Sequence, residues 1–255
     1  MLVTTTNILS GVTPTVSTGA SSDLPANVTN EDFSLNYTGS SSSTLVFDFG
    51  STTSINYVAI AGILVKGNGQ GGSYIQVLDN GVAVSFKGTA RDHCFLINFA
   101  DRTFSNLQIK LYNATNNQAP TLSYAAAGVA ITIPNGGEMG GYTRQWASRN
   151  IKSKTTISNL AAPISRLKKR FAAKGTLALP NMLIPFSNQT WQDFLDFGID
   201  NIFFINEDVA EAGDEQTKPQ FTYVCYDLEN TSTKAHSQTR ALNNLSIKFR
   251  VYNGL

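Results

Sequence analysis

The sequence has few charged residues and few residues that could hold a metal or act as a general base. Charged residues make up 15% of the 255 positions, against a typical ~25% in soluble proteins, and Ser, Thr, Asn and Gln take their place. This composition favours β-sheets with solvated faces over helix bundles, which use Glu and Lys heavily. No zinc-binding pattern is present, and we predict no metal and no other cofactor.

The two cysteines and two histidines of the chain do not form a catalytic pattern. Cys94 and Cys225 lie in apolar runs, so we expect two buried thiols; the sequence leaves a disulfide between them open, since connectivity cannot be deduced from spacing. His93 lies in a strand-like segment and His236 in a polar loop, and no G-x-S-x-G elbow accompanies them. Carboxylates in residues 1–140 stand mostly alone, unlike the pair of a glycosidase. We therefore expect a protein that is not an enzyme.

Long apolar runs are also missing. No stretch approaches the ~20 apolar residues of a membrane span, and the N-terminus lacks both a basic leader and a sufficient apolar core. We expect a protein that is made in the cytoplasm and has no membrane span.

Charge is segregated along the chain. Residues 1–140 have five basic and eight acidic residues, and residues 141–255 have fourteen and ten. Arg144 to Lys174 holds nine basic residues and no acidic one, and Asp193 to Glu215 holds eight acidic residues and no basic one. The two segments could pair with each other or with neighbouring copies. The overall excess is too small to favour nucleic acid. We predict an interface through Arg144, Arg149, Lys152, Lys154, Arg166, Lys168, Lys169 and Arg170.

Short strands with regular spacing dominate the pattern between residues 44 and 134. In TLVFDF, Leu45, Phe47 and Phe49 fall on one face, and SINYVAIAGILV mixes alternation with a continuous apolar run, which is typical of a central sandwich strand. Asn80-Gly81 between two alternating runs indicates a β-hairpin. No segment with helical periodicity intervenes, so the sequence predicts an antiparallel β-sandwich, with Val58 also in its core.

Turn-rich stretches divide the chain. Residues 1–43 have few strand signals and many turn signals, and we expect an extended N-terminal arm with short strands, lying on a surface. The sandwich domain is predicted over 44–134. PNGGEMGGY, residues 134–142, has four glycines in nine positions and is the best boundary. A second β-rich domain is predicted over 142–255.

The second domain is predicted to contain one short helix, near residues 190–198. Thr190 can cap its N-terminus, Gly198 can end it, and an apolar face follows from Trp191, Phe194 and Leu195. The chain ends in a clear strand, with alternate apolar residues at Leu245, Ile247, Phe249 and Val251.

The segments FDFGSTTSINYVAIAG (47–62), SYIQVLDNG and LQIKLYNA (107–114) resemble the discoidin-like, or galactose-binding-like, β-sandwich family. A strand ending in a hydrophobic residue and Gly is followed there by x-x-I-x-x-V-x-I-x-G. The resemblance covers about residues 40–133. It implies a jelly-roll sandwich, and many members bind carbohydrate or lipid through loops that differ between members.

The layout of the whole chain also resembles structural proteins of tailed-bacteriophage particles, of the tail-tip, baseplate or adaptor type. The pattern G-V-x-I-x-I-P at residues 128–134, followed by an arginine-bearing strand, carries this resemblance. It implies a ring-forming virion protein without enzyme activity, whose partners are its own copies and other tail proteins.

The alternative is a carbohydrate-binding module that attaches to a surface such as a host glycan. It needs exposed aromatic residues at one end of the sandwich. The candidates are Phe33, Tyr37, Tyr74 and His93, and we expect each to be in the core or to face a strand.

Overall fold

A computed structural model describes residues 1–18, 24–40, 42–62, 74–88, 94–112, 120–134, 151–157, 163–170, 173–206, 222–234 and 242–252. The strands within them are β1 (Leu2–Thr4), β2 (Thr15–Thr18), β3 (Tyr37–Thr38), β4 (Ser42–Ala61), β5 (Tyr74–Asp79), β6 (Val82–Gly88), β7 (Cys94–Tyr112), β8 (Thr121–Leu122), β9 (Tyr124–Gly128), β10 (Ala130–Thr132), β11 (Ile151–Ile157), β12 (Pro163–Arg170), β13 (Ala173–Leu183), β14 (Phe203–Asn206), β15 (Thr222–Asn230), β16 (Thr233–Lys234) and β17 (Leu242–Val251). The helices are a 3-10 helix (Pro25–Thr29), a π-helical turn (Phe186–Thr190) and α1 (Trp191–Asp200). The predicted antiparallel all-β class is confirmed.

A sandwich forms because two long strands bend and fold one sheet over itself. The sheet runs β2-β4-β7-β5-β6, with β9 also paired to β4. The register of β4 with β7 shifts between Asp48 and Thr53, and Gly50 has a φ of +66° there, a conformation that glycine adopts without steric cost. The halves of β4 on either side of this bend face each other across one core.

The sandwich core contains the apolar residues that alternation assigned to it. Leu45, Phe47 and Val58 are fully buried there, and Phe49 packs half-buried against them. The predicted hairpin is also present, because β5 and β6 are joined through Asn80 and Gly81, whose φ values are +48° and +83°.

A second sheet runs β10-β1-β14-β15-β17-β13, with β16 paired to β17. The N-terminal segment, expected as an extended arm, is part of both sheets: β1 lies between β10 and β14, and β2 pairs with β4. Leu9 and Val28 are fully buried in the sandwich core. A three-residue strand is too short to show an alternation, so its pairing partners, which are distant in sequence, determine its conformation.

Both faces of the second sheet are buried in its centre. Phe203 and Val3 face a cluster that includes α1, and Phe204 and Leu2 face the sandwich. On the sandwich side they pack against the outer face of β4 and β9, through Tyr57, Ala59, Ala61, Tyr124 and Ala126. The continuous apolar run of β4 is explained by this double burial.

The predicted helix is present, but its ends differ from the prediction. Helical backbone is already present at Pro185, so Thr190 lies within helical backbone, has helical angles, and makes no capping hydrogen bond with its side chain. Gly198 lies inside α1, and Asn201 ends the helix. An added Cβ at Gly198 would be 2.8 Å from Cδ1 of Leu228; close packing against β15, not chain reversal, requires glycine at this position.

Two further pairs of strands stand apart from these sheets in the described residues. β3 pairs with β8, and β11 pairs with β12 as a hairpin. The predicted boundary at 134–142 falls almost wholly outside the described residues. The division into 44–134 and 142–255 stays a prediction.

Candidate functional site

A cleft forms where the sandwich stops covering the second sheet. Val224 and Tyr226 are two residues apart in β15 and therefore share a face. Val224 is buried against the sandwich, whereas Tyr226 is half-buried at its margin. The cleft has a volume of about 340 Å³ and is lined by Glu31, Phe33, Ile199, Asp200, Asn201, Ile202, Tyr226, Asp227 and Tyr252. Hereafter "the cleft" means this set.

Aromatic rings form one wall of the cleft. Phe33 stacks on Tyr252 with ring centroids 4.4 Å apart and an interplanar angle of 24°. Its other contact is Tyr124, at 5.4 Å, and Tyr124 in turn stacks on the buried Phe204 at 6.2 Å. Through Tyr124, the ring pair of Phe33 and Tyr252 therefore packs on the contact between the two sheets.

Local hydrogen bonds in the loop hold Phe33 in this position. The carboxylate of Asp32 accepts hydrogen bonds from the backbone N–H of Ser34 at 2.9 Å and from its hydroxyl at 2.6 Å. The hydroxyl and then the N–H of Ser34 lower the pKa of Asp32. Short polar side chains that bond to a backbone two residues on are typical of tight turns. The turn projects the intervening residue, Phe33, onto Tyr252.

Polar groups surround the aromatic wall. Asn201 ends α1, because its backbone N–H and its Nδ2 both donate to the carbonyl of Phe197, at 3.1 Å and 2.8 Å. Asp200 and Glu31 are exposed carboxylates that also line the cleft. The backbone N–H of Tyr252 donates to the carbonyl of Val224 at 2.9 Å, which attaches the chain after β17 to β15.

Asp227 has an unusual backbone. Its φ is +52°, at the point where the register between β15 and β17 shifts. This left-handed conformation is energetically unfavourable for residues other than glycine. Residues with backbone angles of this kind cluster at functional sites. The Nε of Arg250 and Oδ2 of Asp227 form an ion pair 3.0 Å apart, with both side chains more than half exposed.

Both tyrosine hydroxyls of the cleft stay protonated at neutral pH. Partial burial raises the pKa of Tyr226; Arg250 lowers it and Asp227 raises it again. Partial burial is also the main cause that raises the pKa of Tyr252. Each hydroxyl can therefore donate one hydrogen bond and accept others. The cleft combines flat apolar rings with donors, an amide and carboxylates.

Of the three sequence candidates that the structure describes, Phe33 lines the cleft, whereas Tyr37 and Tyr74 do not. Tyr37 is fully buried, and Tyr74 stacks on Tyr112 at 4.9 Å on the sandwich. His93 lies outside the described residues. Sequence reasoning missed Tyr226 and Tyr252; the only signal for them was an aromatic residue at the end of an alternating strand.

The predicted interface residues lie either outside the described residues or in one hairpin. Arg144 and Arg149 lie outside the described residues. The other six are in the hairpin of β11 and β12, where Lys152 is the register partner of Lys169 and Thr155 that of Arg166.

The described residues contain no group of three His, Cys, Asp or Glu side chains arranged to hold a metal ion. Cys225 is a buried thiol and Cys94 a half-buried one. Within the described part of the chain, no helix has the length and apolar character needed to span a membrane.

Comparison with known proteins gives similar structures but no family. No family model matches the chain, and no curated protein matches it. Among similar solved structures is the family 32 carbohydrate-binding module of NanJ from C. perfringens in complex with galactose, with 12% identity and a TM-score of 0.39. That match covers 51% of this chain and all of the module.

Two other solved structures match a similar share of this chain. A fucose-binding module from Streptococcus pneumoniae has 12% identity and a TM-score of 0.39, over 48% of this chain and 94% of that one. A chitosan-binding module from Paenibacillus sp. IK-5 has 15% identity and a TM-score of 0.37, over 48% and 98%. At such low scores the likeness carries no argument about a ligand of this chain.

Proposed function

We propose that this chain is a carbohydrate-binding protein and that the cleft is its binding site. The observation that carries the proposal is the aromatic wall of Phe33, Tyr252 and Tyr226 beside Glu31 and Asn201. The face of an aromatic ring carries negative partial charge, and the C–H groups on one face of a sugar ring carry positive partial charge. Sugar rings therefore stack on such walls.

The polar groups around the aromatic wall, here called the polar rim, can bind the hydroxyl groups of a sugar. Sugar hydroxyls need partners that accept and donate, and carboxylates, an amide and phenolic hydroxyls do both between them. Ligand sites typically combine an apolar wall with a few convergent polar groups. The solved modules named above are described as binding galactose, fucose and chitosan; the proposal does not depend on them.

A glycan array with the full chain tests this proposal. We expect binding of a defined set of glycans by the wild type. Phe33→Ala should weaken it about 30-fold, because removing a central aromatic residue from a binding site costs about 2 kcal/mol. Tyr74→Ala is the matched control, since Tyr74 stacks on Tyr112 away from the cleft, and it should bind as the wild type does. The absence of glycan binding on the array, or an equal loss of glycan binding in both variants, would refute the cleft as a sugar site.

We propose a second role, in a phage tail, in which copies assemble into a ring with neighbouring tail proteins in the virion. The hairpin of β11 and β12 supports it. Among the described residues it pairs with no other sheet, and Lys152 is opposite Lys169. The two strands carry six basic residues and no acidic one, so an acidic partner surface would complement their charge.

Mass photometry of the purified protein tests the assembly. We expect a closed oligomer at low salt that dissociates when Lys152→Glu and Lys169→Glu are combined. Lys110→Glu, on the sandwich strand β7, is the control and should leave the oligomer intact. A wild type that is monomeric at all salt concentrations and joins no tail protein contradicts the role.

A further inference from the structure

A second groove continues from the cleft over the uncovered part of the second sheet. Its volume is about 510 Å³, and it is lined by Lys174, Gly175, Thr176, Asp227, Glu229, Lys248, Phe249 and Arg250. Hereafter "the groove" means this set. Asp227 lines both depressions, so they share a wall.

The strand register orders the side chains that lead out of the cleft. Arg250 in β17 is the register partner of Tyr226 in β15 and of Lys174 in β13. Lys248, two residues earlier on the same face, is the partner of Glu229 and Thr176. Neighbouring strands are ~4.8 Å apart, so the row from Tyr226 through Arg250 to Lys174 spans about 10 Å. Two linked sugar rings would be long enough to span this row.

The groove has an excess of positive charge at the end distant from the cleft. Three cations and two carboxylates line it, but both carboxylates face cations on the cleft side. Asp227 forms an ion pair with Arg250 at 3.0 Å, and Glu229 is opposite Lys248. Lys174 is opposite Arg250, a like-charge pair that destabilises the strand pairing. A bound anion would reduce this repulsion.

The geometry points to a second subsite, in which the groove binds an anionic substituent of the same glycan whose neighbouring sugar ring stacks in the cleft. The ligand class is therefore an acidic oligosaccharide, with a carboxylate or a sulfate one or two rings away from the stacked unit. This inference rests on the proposed carbohydrate function. Lys174 is the main residue that binds the anion, and Lys248 adds positive charge beside it; Asp227 with Arg250 forms the ridge between the subsites.

Matched probes that differ only in charge test the inference. Isothermal titration calorimetry compares trigalacturonic acid with its fully methyl-esterified form, and a sulfated galactan trisaccharide with its desulfated form. The full chain is used throughout. We expect at least one charged probe to bind tenfold or more tightly than its neutral partner, and which pair differs tells carboxylate from sulfate.

Variants separate the two subsites. Lys174→Gln combined with Lys248→Gln should remove the preference for charge and leave binding of the neutral probe unchanged. Lys110→Gln, a basic residue of the sandwich, is the control for general charge effects and should keep the preference. Phe33→Ala should weaken both members of a pair.

The outcomes distinguish the inference from the function on which it rests. Equal affinity for charged and neutral probes, with both weakened by Phe33→Ala, overturns the anionic subsite and leaves the sugar site standing. A preference that survives Lys174→Gln with Lys248→Gln also overturns it. An affinity for the probes that is the same in Phe33→Ala as in the wild type overturns both the inference and the proposed function.

Discussion

Phe33 stacks on Tyr252 at 4.4 Å between ring centroids, and this contact joins a loop near the N-terminus to the residue that follows the last strand. The pair lies where the sandwich and the second sheet meet. It therefore serves both the stability of that junction and the proposed binding of a sugar.

The two rings should be energetically coupled. In a double-mutant cycle of Phe33→Ala and Tyr252→Ala we expect a coupling of about 0.5–1.5 kcal/mol in the free energy of unfolding, because stacked aromatic pairs contribute that much beyond area burial. Urea denaturation of the four proteins measures it. The pair Phe33 and Tyr74 serves as the control cycle and should be additive; a coupling near zero for Phe33 and Tyr252 contradicts the observed stack.

The left-handed backbone at Asp227 allows the energetic effect of its backbone conformation to be measured separately from that of its side chain. Asp227→Gly and Asp227→Ala both remove the carboxylate, but only glycine adopts a φ of +52° without cost. We expect the glycine variant to be more stable by about 1 kcal/mol. Thermal unfolding measures the difference.

The control for that pair lies in the same strand. Glu229 is exposed and is paired in the regular register, so glycine there should be less stable than alanine by about 0.5–1 kcal/mol. The same order of stability at residues 227 and 229 would show that the backbone of Asp227 is not strained.

Gly198 should resist substitution, although alanine favours helices. Alanine normally gains about 1 kcal/mol over glycine in a helix interior. Here the new methyl group would lie 2.8 Å from Leu228 and 3.4 Å from Phe194, and overpacking of that kind costs about 1–3 kcal/mol. We expect Gly198→Ala to lower the melting temperature, and Gln192→Ala on the exposed side of α1 to leave it nearly unchanged. A rise in melting temperature for Gly198→Ala contradicts the close packing.

The protein should lose stability at high pH. Burial is the main cause that raises the pKa of Tyr57 and of Tyr124 above the usual 10.0, and it raises that of Cys225 above 9.0. The folded state therefore keeps protons that the unfolded state releases. The stabilisation is complete below about pH 9 and declines as pH rises through 9 and 10, by up to about 1.4 kcal/mol per pH unit for each group.

Chemical denaturation between pH 7 and 11 measures this decline. Tyr57→Phe removes one titrating group and should make the decline shallower, at the cost of the hydrogen bond from the Tyr57 hydroxyl to the Thr6 carbonyl. If the free energy of unfolding falls equally steeply with pH in wild type and variant, the pKa of Tyr57 does not differ between the folded and unfolded states.

Local patterns predicted the sheets well. In β17 the alternation of Leu245, Ile247, Phe249 and Val251 is matched by their burial, because a strand with one face on a core needs period two. Asn80-Gly81 predicted its hairpin because both residues need positive φ. Such features depend on neighbouring residues alone.

The cleft could not be predicted in the same way. Its residues come from a loop at 31–33, the end of α1, a bulge in β15 and the residue after β17, and no pattern links them in sequence. The central place of β1 in the second sheet could not be predicted for a related reason, since its position between β10 and β14 is decided by partners more than 100 residues away. Tertiary pairing, not propensity, determines these features.

The central claim is that a sugar ring stacks in the cleft. The most direct measurement is a crystal structure of the full chain with a glycan that binds on the array. The account predicts a sugar ring against Phe33, Tyr226 and Tyr252, with its hydroxyls bonded to the polar rim of the cleft. A glycan bound only at the loops of the sandwich, with the cleft left to solvent, would contradict it.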